Sequence, residues 1–142
     1  MLRERTDKPV VGIMQSSPIH ATLLRNRFEN VTTNKEWELL LNRSIHNMAL
    51  DHRCGGIKAI NISPVSLELA GQDVINVAMS EAASEFVKNN GCDVVILGCA
   101  GMSGLKKKMQ QTFLTMGLKA SIIDPVIAEY EVLSGLVTAQ KT

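Results

Sequence analysis

Asp93-Val-Val-Ile-Leu-Gly-Cys-Ala-Gly-Met-Ser-Gly-Leu105 is the stretch whose reading decides the fold. Val94 to Leu97 run without polar interruption, as a strand covered on both faces does. Gly98, Gly101 and Gly104 then permit a close turn and leave backbone N–H groups open to a ligand. A helix is expected next, over Met102–Met116, with Lys106, Lys107 and Lys108 inside it and Gly117 as its stop. Cys99 falls in the turn itself. A helix N-terminus favours negative charge, so it can hold a carboxylate or stabilise a thiolate. Position and chemistry make Cys99 the candidate reactive group of the chain.

Working outward, strand and helix patterns alternate. Pro9 to Met14 reads as a short apolar strand, and Pro18 to Leu24 as a helical turn or two. Phe28 to Thr32 reads as a second, weaker strand. Thr33-Asn34-Lys35-Glu36 looks like a helix start, with Thr33 or Asn34 as N-cap and Glu36 as a capping-box partner. That helix runs on through Trp37, Leu40, Leu41, Ile45 and Met48. Gly55-Gly56 ends the turn after it, and Ile57 to Ile62 follows as a strand. Pro64 to Gly71 is irregular or a short helix. Asp73 to Asn89 is a helix with Val74, Val77, Ala78, Ala82 and Phe86 on one face. Ala120 to Ile123 is a strand, and Asp124-Pro125 opens a last helix over Val126–Ala139. The apolar positions of that helix need a partner. Alternation of this kind means βαβ units. The predicted fold is a single α/β domain over residues 1–142, a parallel sheet of about four to five strands flanked by helices.

Composition narrows the function classes. The 142 residues suit one domain with a real core. A net charge of +1 gives no electrostatic footprint for nucleic acid or a membrane surface. No apolar run approaches the roughly 18 residues of a transmembrane helix, and the charged start lacks a signal peptide's apolar core. Cys54, Cys92 and Cys99 form neither an even framework nor a Cys-x-x-Cys pair, which fits free thiols in a reducing cytoplasm. His20, His46 and His52 are scattered, with no metal-ligand spacing. No metal is expected.

The glycine turn has competing readings. Gly98, Gly101 and Gly104 after a strand, with Asp124 closing the next strand, resemble a dinucleotide-binding unit in outline. The Gly-x-x-Gly-x-x-Gly spacing departs from Gly-x-Gly-x-x-Gly, and there is no Walker A sequence. The plain reading of Cys99 is a small buried hydrophobe. Its place at the carboxyl end of a strand, where α/β sheets bind ligands, argues otherwise. Cys92 and Cys54 lie at the opposite sheet edge and read as structural. Thr32 and Thr33 end a strand on the ligand-binding side; their hydroxyls cap the next helix or face a ligand. Gly12 to Ser17 ends the expected first strand with Gln15, Ser16 and Ser17.

Ile96-Leu97-Gly98-Cys99-Ala100-Gly101-Met102, followed by Ile122-Ile123-Asp124-Pro125-Val126, resembles the aspartate/glutamate/hydantoin racemase superfamily. The hydantoin and allantoin racemase branch is most similar, with Pro9-Val-Val-Gly-Ile13, Arg27-Phe28 and Val31-Thr32-Thr33 in the expected order. The resemblance covers essentially the whole chain. It implies cofactor-independent racemisation by two cysteines on opposite faces of the substrate α-carbon, one thiolate removing the proton and one thiol returning another. Cys99 matches the second cysteine of the pair; Thr32, Thr33, Gly98, Ala100 and Gly101 match the pocket lining. The first cysteine of the family lies upstream of the Pro-Val-Val-Gly-Ile segment, in an N-terminal half that this chain lacks. The chain thus looks like one of two lobes, impaired in racemisation alone, with a small hydantoin, allantoin or amino-acid derivative as substrate and homo-oligomerisation expected. The rival expectations are a non-catalytic carboxylate- or hydantoin-binding module and a nucleotide-binding domain.

Overall fold

The computed structural model describes residues 2–141. Four parallel strands form one sheet in the order β2-β1-β3-β4. They are β1 (Phe28–Thr32), β2 (Cys54–Ala59), β3 (Val94–Leu97) and β4 (Ser121–Ile123). The helices are α1 (Ile13–Leu24), α2 (Lys35–Asn47), α3 (Pro64–Leu69), α4 (Gln72–Asn89), α5 (Lys106–Thr115) and α6 (Pro125–Ala139). Val31, Val95, Leu97 and Ile122 pack on one face with Met79 and Ala83 of α4 and Met109 and Phe113 of α5. Phe28, Val94, Ile96 and Ile123 pack on the other face with Ala21 of α1, Ile45 of α2 and Ala128 of α6. Both faces are covered, which is why Val94–Leu97 reads as a continuous apolar run. No described helix is long and apolar enough to cross a membrane.

The expected strand at Pro9–Met14 is absent. Residues 9–12 pair with no strand, and α1 begins at Ile13. The apolar run is too short for its periodicity to separate strand from helix. The buried positions of α1 include Ser17, Pro18 and Ala21, a helical stripe that its polar and proline members hide. Pro18 thus lies inside the helix, and Ser16 Oγ donates to the Gly12 carbonyl at 3.1 Å. The weaker expected strand, Phe28–Thr32, is central and buried throughout.

Gly55 and Gly56 belong to β2 instead of ending a turn, so the strand starts earlier than Ile57 and ends at Ala59. The β1–β2 register slips beside them: Phe28 faces Cys54, and Glu29 faces Gly56. A Cβ on Gly55 would overlap Cys92 Sγ, and one on Gly56 would overlap Phe86 Cε1. These glycines therefore mark a bulge over which neighbours pack closely.

α4 buries Ile75, Met79, Ala82 and Ala83, while Val74 and Val77 are exposed. α4 carries apolar residues on several sides, and the pairing with α5 and the sheet selects the stripe. α6 finds its partner in α1, with which it packs and which it joins through His20 Nδ1 and Glu131 Oε2 at 3.3 Å. Pro125 and Ala128 are buried there, whereas Val126, Ile127 and Tyr130 remain exposed.

Candidate functional site

The chain runs from β1 outward to β2, then crosses back to place β3 on the other side of β1. The carboxyl ends of β1 and β3 therefore diverge into a crevice, the place where open α/β sheets bind ligands. A cavity of about 230 Å³ opens there. β1 and its extension supply Asn30, Thr32 and Thr33; β3 and its turn supply Gly98, Cys99 and Ala100. Ile13, Met14 and Ser17 of α1, Trp37 and Leu41 of α2, and Pro125 of α6 complete the wall with Ile96 and Leu97.

Five of the six site residues expected from sequence meet in this cavity: Thr32, Thr33, Gly98, Cys99 and Ala100. Gly101 does not line it. A Cβ on Gly101 would stand 3.7 Å from Cys99 Sγ and 3.5 Å from Leu67 Cδ1, ordinary contact distances. Thr33 does not cap α2. The N-cap is Asn34, and neither it nor a capping box supplies a side-chain bond.

The turn after β3 differs from expectation. Cys99 precedes a single 3₁₀ turn, Ala100–Met102, and α5 starts only at Lys106. The half-buried thiol is therefore seven residues from the α-helix, and the argument from the α5 dipole does not apply to it. The intervening residues are tied down by Asp124, which accepts from Ser103 Oγ at 2.9 Å and from the Gly104 amide at 2.8 Å. Asp124 also caps α6 by accepting from Val126 and Ile127. Its bonding is thus taken up by the fold, contrary to the role a dinucleotide-binding acid needs. The amides of Ala100 and Gly101 donate to no protein acceptor among the described residues.

Gly98 is required by close approach. Its amide donates to the Val31 carbonyl at 2.7 Å. A Cβ there would overlap Asn30 Oδ1 and lie 2.9 Å from that carbonyl oxygen. Sequence reasoning missed Asn30 and noted Ser17 only as a polar residue closing an expected strand. Both are buried, and Asn30 Oδ1 and Ser17 Oγ have no hydrogen-bond partner. A polar pair, Glu29-Asn30, in a strand otherwise able to be apolar was the available signal.

The other two cysteines lie at the opposite edge of the sheet. Cys92 is buried before β3, and burial, with Glu29 nearby, pushes its thiol up to about 11. Burial also raises Cys54. Neither lines the cavity.

The chain is thus a parallel α/β lobe with a thiol at its switch-point crevice. A family model described as Asp/Glu/Hydantoin racemase matches residues 1–132, and the chain belongs to that family. An uncharacterized protein of Schizosaccharomyces pombe is 34% identical over 96% of this chain and 56% of its own length. The hydantoin racemase of Paenarthrobacter aurescens is 26% identical over 96% of this chain and 55% of its own. Among solved structures, the allantoin racemase from Pseudomonas fluorescens superposes with a TM-score of 0.83 at 25% identity, covering 93% of this chain and 54% of that one. The chain spans about half the length of the curated relatives it matches.

Proposed function

We propose that this cavity carries out cofactor-independent α-proton transfer on a hydantoin- or allantoin-type compound, with Cys99 as the acid–base group. The observation that carries the reading is the convergence of Cys99, Thr32, Thr33, Gly98 and Ala100 on one crevice at the switch point. The Cys99 thiolate takes the proton from the substrate α-carbon: the C–H bond breaks, an S–H bond forms, and the electron pair moves into the adjacent carbonyl. The open amide of Ala100, which lines the cavity, is suited to hold the resulting oxyanion. Return of the proton from the same thiol restores the original enantiomer. Inversion needs a second donor on the opposite face. Among the described residues no other cysteine, and no histidine, carboxylate or lysine, lines the cavity. These 142 residues alone should therefore exchange the α-proton without racemising, and association with a further copy or lobe is part of the same proposal.

Incubation of the chain with each enantiomer of a 5-substituted hydantoin in heavy water tests this. Chiral chromatography with mass spectrometry should show deuterium entering one enantiomer with its configuration retained. No exchange in either enantiomer would overturn the proton-transfer reading, and brisk racemisation would overturn the single-donor account.

A further inference from the structure

The cavity has two unlike walls. The sheet side carries the Cys99 thiol, the Thr32 and Thr33 side chains and the Ala100 turn. The helix side is apolar, with Ile13 and Met14 from α1 and Trp37 and Leu41 from α2. Trp37 and Leu41 stand four residues apart and so share one face of α2. Leu41 is buried at the base of that wall, whereas Trp37 is 45% exposed and Ile13 and Met14 are half-buried. The indole therefore presents apolar area to water that a ligand can cover. Among the described residues no charged side chain lines the cavity.

The proposed proton transfer fixes what this wall meets. At the substrate α-carbon the hydrogen faces Cys99 and the carbonyl faces the Ala100 amide, so both engage the sheet side. The fourth bond of that carbon, beyond the ring, carries its substituent, and the helix side is the wall left for it. A hydrocarbon substituent leaves water there and packs on the indole. The ureido substituent of allantoin would set N–H and C=O groups against hydrocarbon, and a charged substituent would stay unpaired.

We infer that Trp37 is the specificity-determining residue of this cavity, and that its ligand carries a bulky apolar substituent on the reacting carbon in preference to the ureido group of allantoin. The inference rests on the hydantoin-type reading above and adds which member of that class the chain selects.

Trp37 is the single tryptophan of the chain, so its emission reports on this wall alone. Fluorescence and calorimetric titrations of the full chain compare 5-methylhydantoin, 5-benzylhydantoin and allantoin. The benzyl compound should bind about tenfold or more tighter than either of the others, the scale of a few buried methylenes, and should shift the Trp37 emission to the blue. Trp37→Ala should remove most of that preference and leave 5-methylhydantoin binding nearly unchanged, while Trp37→Phe should restore most of it. Should Trp37→Ala fail to fold by circular dichroism, the wild-type ranking and emission shift still decide. Allantoin binding as tightly as the benzyl compound, benzyl binding with no change in emission, or a benzyl preference that Trp37→Ala leaves intact overturns the inference and leaves the hydantoin-type reading standing. Binding of none of the three compounds overturns that reading as well.

Discussion

At the carboxyl edge of the sheet, Cys99 stands half-buried in an open cavity beside the unpaired oxygens of Asn30 and Ser17. At the amino edge, Cys54 and Cys92 stand near a second unpaired group, the carboxyl of Glu29, with Cys92 and Glu29 packed away from solvent. Asn30 and Glu29 are consecutive, so they point to opposite faces of β1. Asn30 joins the crevice where strand order reverses. Glu29 enters the closed face beneath α4, where neither oxygen has a partner. Desolvation there, against some relief from Lys58, pushes its carboxyl up to about 9. Thiol and unpaired oxygen thus border the proposed ligand cavity at one edge and make a titration burden at the other. What separates them is the strand crossover, which opens one edge and leaves the other packed.

The sharpest way to break this contrast is to exchange the serine mutation between edges. Cys99→Ser should lower α-proton exchange about 100-fold or more, the usual contribution of a positioned acid–base group. Cys54→Ser should leave the exchange rate within about twofold, since Cys54 does not line the cavity. Equal losses in the deuterium assay would mean that the two edges do not differ in function.

Glu29→Gln tests the amino edge. The folded-state pKa of about 9 lies above the ordinary carboxyl value of 4.5. The folded chain therefore keeps a proton that the unfolded chain releases over this window. The stability associated with the neutral form is fully present below about 4.5 and is lost as pH rises to about 9. The loss is at most about 1.4 kcal/mol per pH unit between those limits. Urea unfolding from pH 5 to pH 8 should show wild-type stability falling and the Glu29→Gln slope much flattened. An unchanged slope in the variant would remove Glu29 as its source.

Much of the carboxyl edge was legible in the sequence because its signals are local. Val94–Leu97 is an uninterrupted apolar run closed by glycine, and Thr32-Thr33 ends a strand before a helix. Such positions project to the ligand-binding edge whatever the strand order. Asn30 and Ser17 needed the tertiary structure. Asn30 is mid-strand, and Ser17 sits on a helix whose buried stripe includes serine and proline, so neither position announces a cavity. The bulge at Gly55 was illegible for a related reason. Two glycines read as a turn until Cys92 and Phe86 arrive from distant parts of the chain to occupy their missing side chains.

Those glycines give the next comparison. Gly98→Ala would drive a Cβ against Asn30 Oδ1 and to 2.9 Å from the Val31 carbonyl oxygen, a backbone atom that cannot rotate aside. Gly55→Ala would strike chiefly Cys92 Sγ, with the Phe28 carbonyl oxygen next at 3.6 Å from the added Cβ. Gly98→Ala should cost about 1–3 kcal/mol in urea unfolding and close the cavity to hydantoins, with Gly55→Ala at or below the lower end of that range. The reverse order would place the tighter packing at the amino edge.

The smallest effect expected is in thiol labelling, and it tests access together with ionisation. Alkylation requires a thiolate that a reagent can reach. Cys92 is 2% exposed, and burial holds its thiol up at about 11, so both requirements fail in the folded chain. Cys54 is half-buried but also raised by burial. Cys99 opens into a cavity large enough to admit a small reagent. Iodoacetamide at pH 7.5, followed by peptide mass spectrometry, should modify Cys99 faster than Cys54, because the cavity admits the reagent to Cys99 while burial raises the Cys54 thiol. Cys92 should react only at the rate of transient opening. A hydantoin that occupies the cavity should slow Cys99 alone, while mild denaturant should bring all three rates together. Labelling of Cys54 or Cys92 ahead of Cys99 in the folded chain would show that the open edge of the sheet is not where its reactive thiol lies.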